Sequence, residues 1–115
     1  MEFKMNVSIN DLKKRIEFSH QSFCVRMQGH AMMEAGINDN DLLRVKTCHP
    51  PKEGDIVMAL VDDEVFIRRY FLDQSRVVLM AENVNYPCMV LDEYDLYEIC
   101  GVVSLRTTNE QFESH

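Results

Sequence analysis

Short apolar runs recur along the chain from residue 23 onward, and clusters of Asp, Asn, Gly and Pro separate them. Successive side chains of a strand point to opposite faces, so short runs of this kind are typical of β-strands rather than helices. We predict strands over residues 23–27, 42–45, 56–61, 64–72, 76–80 and 97–105. Residues 56–61 are almost continuously apolar, which predicts a strand buried on both faces.

Two turns fit this pattern of strands. Asp62 and Asp63 separate two predicted strands by two residues, which indicates a tight β-hairpin. The segment 50–55 contains two prolines and Gly54. Proline fixes φ and glycine adopts φ values that other residues avoid, so a second turn is predicted here. Short strands with turns every ~8–12 residues predict an all-β barrel or sandwich-like domain.

The two ends of the chain have a different pattern. Ser8 is a good N-cap residue, and Leu12 and Ile16 share one face, so a short helix is predicted within an N-terminal arm of residues 1–22. Residues 107–115 are polar and form the predicted C-terminal tail. The domain itself is expected to span residues 23–106.

Composition and charge exclude several classes of function. With a formal net charge of −7 and no basic stripe, the chain is a poor nucleic-acid binder, because Lys and Arg supply most of the affinity for phosphates. No stretch reaches the ~18 apolar residues of a membrane span, and the first residues lack a signal-peptide pattern, so a cytoplasmic protein is expected. The cysteines form no C-x-x-C pair, and Cys48 beside His49 fits a free loop thiol better than a catalytic pair. We expect neither a metal site nor a cofactor.

A short motif between the first two predicted strands has the form of an active-site motif. It reads Gly29-His30-Ala31-Met32, and an Asn- and Asp-rich turn follows it from Gly36. Five further segments follow in the same order as in a known family: 54–57, 59–62, 65–69, 81–87 and 101–103. Through these segments together, residues 23–106 resemble the LexA/UmuD family of self-cleaving serine–lysine peptidases. The resemblance implies an all-β, LexA/UmuD C-terminal-like (signal-peptidase-like) domain.

The resemblance also implies where the catalytic positions lie. Ala31 stands where the family has its nucleophilic serine, and Arg68 stands where it has its lysine base. Alanine has no hydroxyl, and an arginine stays protonated at physiological pH, so neither residue can perform the family's chemistry. We therefore predict no intact catalytic residue, with Gly29, His30 and Met32 flanking the replaced nucleophile. If Arg68 is buried, it is expected to hold an ion pair or several carbonyls.

A function follows from the same resemblance. Residues 1–22 contain neither Ala-Gly nor Cys-Gly, the dipeptides that the family cleaves, so the chain is most similar to the processed UmuD form. That form implies a homodimeric accessory subunit of an error-prone Y-family DNA polymerase in the SOS response, with the RecA filament as a further candidate partner. One alternative is a LexA- or phage-repressor-like regulator that forms mixed dimers with an intact repressor. Another is an autopeptidase captured as an inactive variant, although two replaced positions favour natural loss.

The predicted dimer interface lies on the last strand. This strand is long and apolar, and at a sheet edge it would need covering. The candidate interface residues are Tyr97, Ile99, Val102, Val103 and Leu105. A further hypothesis is that residues 1–22 occupy the active-site cleft as an added strand.

The methionines divide into two predicted groups. Met27, Met58 and Met80 fall within strands and are expected to fill gaps in the core. Met32, Met33 and Met89 are expected to be more exposed, where methionine suits an adaptable binding surface.

Overall fold

One antiparallel sheet contains all the strands of the described chain. The computed structural model describes residues 22–47 and 50–107, the last three of them through their backbone. The strands are β1 (Ser22–Arg26), β2 (Leu42–Lys46), β3 (Ile56–Val61), β4 (Glu64–Asp73), β5 (Arg76–Met80), β6 (Met89–Leu91) and β7 (Tyr97–Thr107). Their order across the sheet is β1-β2-β7-β3-β4-β5-β6. The prediction of an all-β domain is confirmed.

Two elements have no counterpart among the predicted ones. They are the short strand β6 and a 3-10 helix at Met33–Ala35. Within the described residues, no helix is long and apolar enough to cross a membrane. The predicted helix near Ser8, the turn at residues 48–49 and the polar tail beyond residue 107 lie outside the described residues. The division into arm, domain and tail therefore stays a prediction.

Strand β3 is buried on both faces, as its continuous apolar sequence predicts. Val57, Ala59 and Val61 point into one hydrophobic cluster, together with residues of β4, β5 and β6. Met58 and Leu60 point into the other cluster, which also contains residues of β1 and β2. A strand with apolar side chains on both faces needs cover on both, and the sheet supplies it by holding two cores.

The hairpin that joins β3 to β4 is the two-residue turn that the sequence predicts. Asp62 and Asp63 both have positive φ angles, of 50° and 70°. Two consecutive left-handed residues define a type I′ turn, whose twist matches that of the flanking strands. Aspartate tolerates this conformation better than most residues, which explains a turn without glycine.

Strand β7 lies inside the sheet, so the premise that it is an edge strand is wrong. It pairs with β3 over residues 97–102 and with β2 over residues 102–107. Val102 has a partner on both sides, Lys46 in β2 and Val57 in β3. An apolar sequence indicates burial and does not tell which neighbours provide it. The long final strand is covered by two partners in succession.

Gly101 lies where β7 passes from one partner to the other. A Cβ atom at this position would lie 2.6 Å from Cγ1 of Val45 and 2.7 Å from the carbonyl oxygen of Lys46. Both distances are far below van der Waals contact, and one of the atoms belongs to the backbone. Only glycine lets β2 approach β7 this closely.

Candidate functional site

The motif at residues 29–32 forms a tight loop after β1. Gly29 has a φ of 93°, and its N–H donates to Oδ1 of Asp39 at 2.7 Å. The 3-10 helix that follows ends at Gly36, which has a φ of 85°. Both conformations lie in the region that glycine adopts at low cost, and this accounts for a glycine on each side of the motif.

Ala31 and Met32 lie in the core. Their side chains are 4% and 0% exposed, and both belong to the hydrophobic cluster below the loop. The expectation that Met32 is near the surface is wrong, whereas Met33 is exposed as expected. At the predicted nucleophile position, the chain presents a methyl group packed among apolar side chains.

A second segment, residues 81–86, holds this loop in place. The N–H of Glu82 donates to the carbonyl of Ala31 at 2.8 Å, and the N–H of Glu34 donates to the carbonyl of Glu82 at 2.9 Å. Asn83 adds a side-chain contact, because its Nδ2 donates to the carbonyl of His30 at 2.7 Å. Two segments that are far apart in the sequence are thereby joined by a short ladder of hydrogen bonds.

Asn83 is the polar centre of the 81–86 segment. The residue is 8% exposed, and both ends of its amide are bonded. Its Oδ1 accepts from the N–H of Asn85 at 3.0 Å, and its carbonyl accepts from the N–H of Tyr86 at 3.1 Å. A buried amide with its donor and acceptor both paired fixes local geometry. The sequence places Asn83 in a family-like segment, but nothing in the pattern assigns it this role.

Arg68 lies on β4 and is 7% exposed. Its guanidinium makes one hydrogen bond to a described residue, from Nη1 to the carbonyl of Ile67 at 3.0 Å. Nε is buried and has no hydrogen-bond partner among the described residues. The Cζ atom lies over two aromatic rings, 5.1 Å from the centroid of Phe66 and 5.7 Å from that of Tyr86. No carboxylate of the described residues pairs with it, so the expected ion pair is absent from this part of the chain.

The surroundings of Arg68 are unfavourable for a charge. Burial lowers the pKa of Arg68 below its ordinary value, and Tyr86 and then Glu64 oppose that effect. An unpaired buried donor costs about 1–3 kcal/mol. A desolvated cation over an aromatic ring gains ~2 kcal/mol, so the two rings oppose this cost. Arginine nevertheless keeps its proton at neutral pH.

The neighbouring residue, Arg69, is bonded on two sides. Its Nε donates to Oε2 of Glu82 at 2.8 Å, and its Nη1 donates to the carbonyl of Gly54 at 2.6 Å. The side chains of this ion pair are 28% exposed at Arg69 and 29% exposed at Glu82. Arg69 thus ties the hairpin to the same 81–86 segment that holds the motif loop. Nothing in the sequence pattern indicates this role for Arg69.

A surface cavity of ≈ 570 Å³ lies beside these elements, and its lining comes from the motif loop and the 81–86 segment. The lining residues are His30, Met33, Asn83, Asn85 and Tyr86. His30 is exposed, as expected of a turn histidine. Within the described residues, no group of His, Cys, Asp or Glu side chains is arranged to hold a metal ion. The cavity therefore offers amide, imidazole, phenol and thioether groups.

Ala31 and Arg68, the two predicted catalytic positions, both contact the 81–86 segment. The carbonyl of Ala31 accepts from the N–H of Glu82, and the guanidinium of Arg68 lies over the ring of Tyr86. That these two residues hold the family's catalytic positions stays a prediction. Neither residue carries a group that can attack a carbonyl or accept a proton.

The predicted interface residues are spread over both faces of the sheet. Tyr97, Ile99 and Val102 pack against the cluster of β3, β5 and β6, and Val103 packs against the other cluster. The side chain of Leu105 lies outside the described residues. Whether this set forms a dimer interface stays a prediction.

Comparisons with known proteins identify the family of this domain. Residues 4–104 match the family described as Peptidase S24-like. The chain is 35% identical over 78 residues to a LexA repressor of Clostridium kluyveri, covering 68% of this chain and 39% of the repressor. It is 37% identical over 89 residues to a LexA repressor of Desulfatibacillum aliphaticivorans, covering 77% and 44%. The chain thus spans about two fifths of the length of the curated relatives it matches.

Proposed function

This chain belongs to the Peptidase S24-like family, and we propose that it acts as a LexA-like regulator that binds other proteins without cleaving them. The observation that carries the proposal is the pair of replaced positions. Ala31 offers a buried methyl group where a nucleophile is needed, and Arg68 offers a permanent cation where a neutral base is needed. We expect the chain to work in the cytoplasm.

Charge favours a protein as the partner rather than DNA. The formal net charge is −7, and phosphate binding draws mainly on Lys and Arg. In the proposed role the chain pairs with an intact LexA-type repressor and forms a mixed dimer. Such a dimer would carry one subunit that can be cleaved and one that cannot, so the repressor's response to damage would be altered.

The second candidate is a UmuD-like accessory subunit of an error-prone Y-family DNA polymerase, working as a homodimer. One observation favours it: exposed apolar side chains lie beside two turns, 62–63 and 92–95, that carry exposed carboxylates. Tyr94 and Leu96 are 85% and 80% exposed. The hairpin turn at 62–63 lies beside them, because the N–H of Asp62 donates to the carbonyl of Leu96 at 3.2 Å. Such a surface suits a basic partner, as DNA-handling enzymes often are. The RecA filament is the other candidate partner for this surface.

An active autopeptidase whose nucleophile has been changed is the least economical alternative. It explains Ala31 and leaves Arg68 unexplained. The direct test is the double variant Ala31→Ser with Arg68→Lys, and an absence of self-cleavage there would rule this alternative out. We expect the unmodified chain to keep its full mass on long incubation at alkaline pH, where a lysine base would be most active. Cleavage by the unmodified chain would contradict the proposal.

Partner binding separates the two candidates. The tagged chain of 115 residues is mixed with a purified LexA-type repressor, or with a Y-family polymerase, and the complexes are analysed by native mass spectrometry. A mixed dimer with the repressor supports the first candidate. A complex with the polymerase alone supports the second and overturns the first. Replacing both Tyr94 and Leu96 by Ser should weaken the polymerase complex and leave the fold intact, because both side chains are exposed.

A further inference from the structure

Two acidic turns lie side by side at the end of the sheet where β3 ends and β7 begins. They comprise residues 62–64 and 92–96, and the N–H of Asp62 donates to the carbonyl of Leu96 at 3.2 Å. Residues 62–64 read Asp-Asp-Glu, and residues 92–95 read Asp-Glu-Tyr-Asp. Neither turn contains Lys, Arg or His, and most of the carboxylates belong to exposed residues, so this surface carries concentrated negative charge.

Two apolar side chains lie among these carboxylates, and the turn that carries them is fixed. Tyr94 and Leu96 are largely exposed. Oδ1 of Asp92 accepts from the N–H of Tyr94 at 2.9 Å, and Oδ2 of Asp95 accepts from the N–H of Asp92 at 2.8 Å. Adjacent exposed apolar groups with a polar rim mark an interaction surface, and complementary charge favours a cationic partner.

One segment of this chain has the complementary chemistry. Residues 12–16 read Leu-Lys-Lys-Arg-Ile, and they contain the only run of three consecutive basic residues in the sequence. The apolar residue at each end can contact Tyr94 and Leu96 while the cations meet the carboxylates of the turns. The cavity beside the motif loop offers no such match, because none of its lining residues carries a carboxylate.

The strand directions bring this segment within reach of the acidic turns. Ser22 pairs with Lys46, and Lys46 pairs with Val102 in β7. Because β1 and β7 run in the same direction, β1 traced backward from Ser22 points toward Tyr97, which adjoins the acidic turns. Five residues of strand and two strand spacings separate Ser22 from Tyr97, a distance of about 20 Å. A chain from residue 12 to residue 22 spans up to ~33 Å, so residues 12–16 can reach both turns.

We infer that residues 12–16 dock on the acidic turns of their own chain. A tethered segment has a high effective concentration, so ion pairs and apolar contacts that are individually weak can act together. The inference goes beyond the proposed function and stands whichever partner the chain binds. It has one consequence for the second candidate, because a basic partner that uses Tyr94 and Leu96 has to displace the arm first.

The contact is measured through the amide resonances of the ¹⁵N-labelled chain of 115 residues. The triple variant Lys13→Gln, Lys14→Gln and Arg15→Gln removes the cations of the docking segment and changes no described residue. We expect the amides of the acidic turns to shift in this variant, because the contact is lost with its ion pairs. Turn amides that keep their parent positions overturn the inference.

Two comparisons locate the contact. Lys4→Gln is the matched control, since it removes a cation of the same arm outside residues 12–16, and it should leave the acidic turns unshifted. In the triple variant, the amides of residues 29–34 and 81–86, which form the cavity, should also keep their positions. Shifts confined to these two segments place the arm in the cleft and overturn the inference, as do equal shifts of the turns in the control.

The reciprocal variant tests the contact from the side of the turns. Tyr94→Ser with Leu96→Ser should shift the amides of residues 12–16, whereas Leu72→Ser with Val84→Ser, two exposed apolar side chains elsewhere, should not. Equal effects of the two pairs would refute a specific contact. The differences from the parent should persist on about tenfold dilution, because the contact lies within one chain. Differences that disappear on dilution assign the docking segment to a second copy and overturn the inference.

Discussion

Asn83 joins the two halves of the candidate site, and its replacement by alanine should loosen them. The change removes the hydrogen bond from Nδ2 to the carbonyl of His30 and the one from the N–H of Asn85 to Oδ1. Each such bond contributes about 1 kcal/mol net, so Asn83→Ala should lower the free energy of unfolding by about 2 kcal/mol. A larger loss is not expected, because the carbonyl of His30 keeps the N–H of Met33 as a donor and Asn85 is exposed to water.

Urea unfolding followed by circular dichroism measures this change as a lower midpoint at constant slope. For a domain of this size, the same loss corresponds to a fall in Tm of about 8 °C. Hydrogen exchange adds a local readout at Glu82, whose N–H donates to the carbonyl of Ala31. We expect that amide to exchange faster in the variant relative to amides in β3.

Two controls make the test specific. Asn85→Ala keeps the backbone N–H that bonds to Asn83, so its free energy of unfolding should stay within ~0.5 kcal/mol of the parent value. Asn83→Asp keeps the acceptor but places a carboxylate oxygen against the carbonyl of His30, so it should cost at least as much as the alanine variant. If Asn83→Ala unfolds at the same urea concentration as the parent, the ladder does not hold the loop and the argument is wrong.

Three further changes probe the sheet and its charges. Gly101→Ala should cost about 2 kcal/mol in urea unfolding, because overpacking against the backbone of Lys46 cannot relax cheaply. Glu82→Gln should cost about 0.5–1 kcal/mol at low salt and less at high salt, because it removes the partly exposed ion pair with Arg69. Burial raises the pKa of Tyr70 above its ordinary value of 10.0, so the folded chain holds this proton more tightly than the unfolded one. That contribution is complete below the unfolded pKa and is lost as pH rises through the folded pKa, so Tyr70→Phe should flatten the decline in stability at alkaline pH.

Each of these has a clear contrary result. An unchanged urea midpoint for Gly101→Ala would mean that β2 and β7 are farther apart than described. A cost for Glu82→Gln that does not depend on salt would assign its effect to packing rather than charge. Parallel pH profiles for Tyr70→Phe and the parent would show that another group controls the alkaline decline.

Periodicity was sufficient to predict most strands, because short apolar runs between turn residues leave few alternatives. The bounds of β3 and β5 agree with the predicted ranges, and the turn at Asp62 and Asp63 is confirmed. Strand β6 was missed because its three residues, 89–91, are too few to show alternation. The predicted edge position of β7 was wrong because strands pair with partners that are distant in the sequence, and the local pattern does not indicate those partners. Met80 was expected in the core but is 40% exposed, since alternation along β5 turns it outward.

Some features of the candidate site could likewise be predicted from the sequence, and others could not. Residue type alone shows that Ala31 cannot be a nucleophile and that Arg68 cannot be a neutral base. The sequence could not show what surrounds Arg68, because its two aromatic neighbours come from β4 itself and from a segment eighteen residues later. Nor could it assign Asn83 and Arg69 their roles, since both depend on backbone atoms brought close only by the fold.

The shared pairing of β7 has a consequence for cooperativity. In the order of strands, β7 alone connects the pair β1–β2 with the group β3–β6. Opening β7 would therefore separate the pair β1–β2 from the four-stranded group β3–β6 and expose both hydrophobic clusters at once. The amides of residues 99–103 should then exchange only through global unfolding, whereas the edge strands β1 and β6 can fray by themselves. A single strand in the middle of the sheet thus makes the described domain one folding unit rather than two.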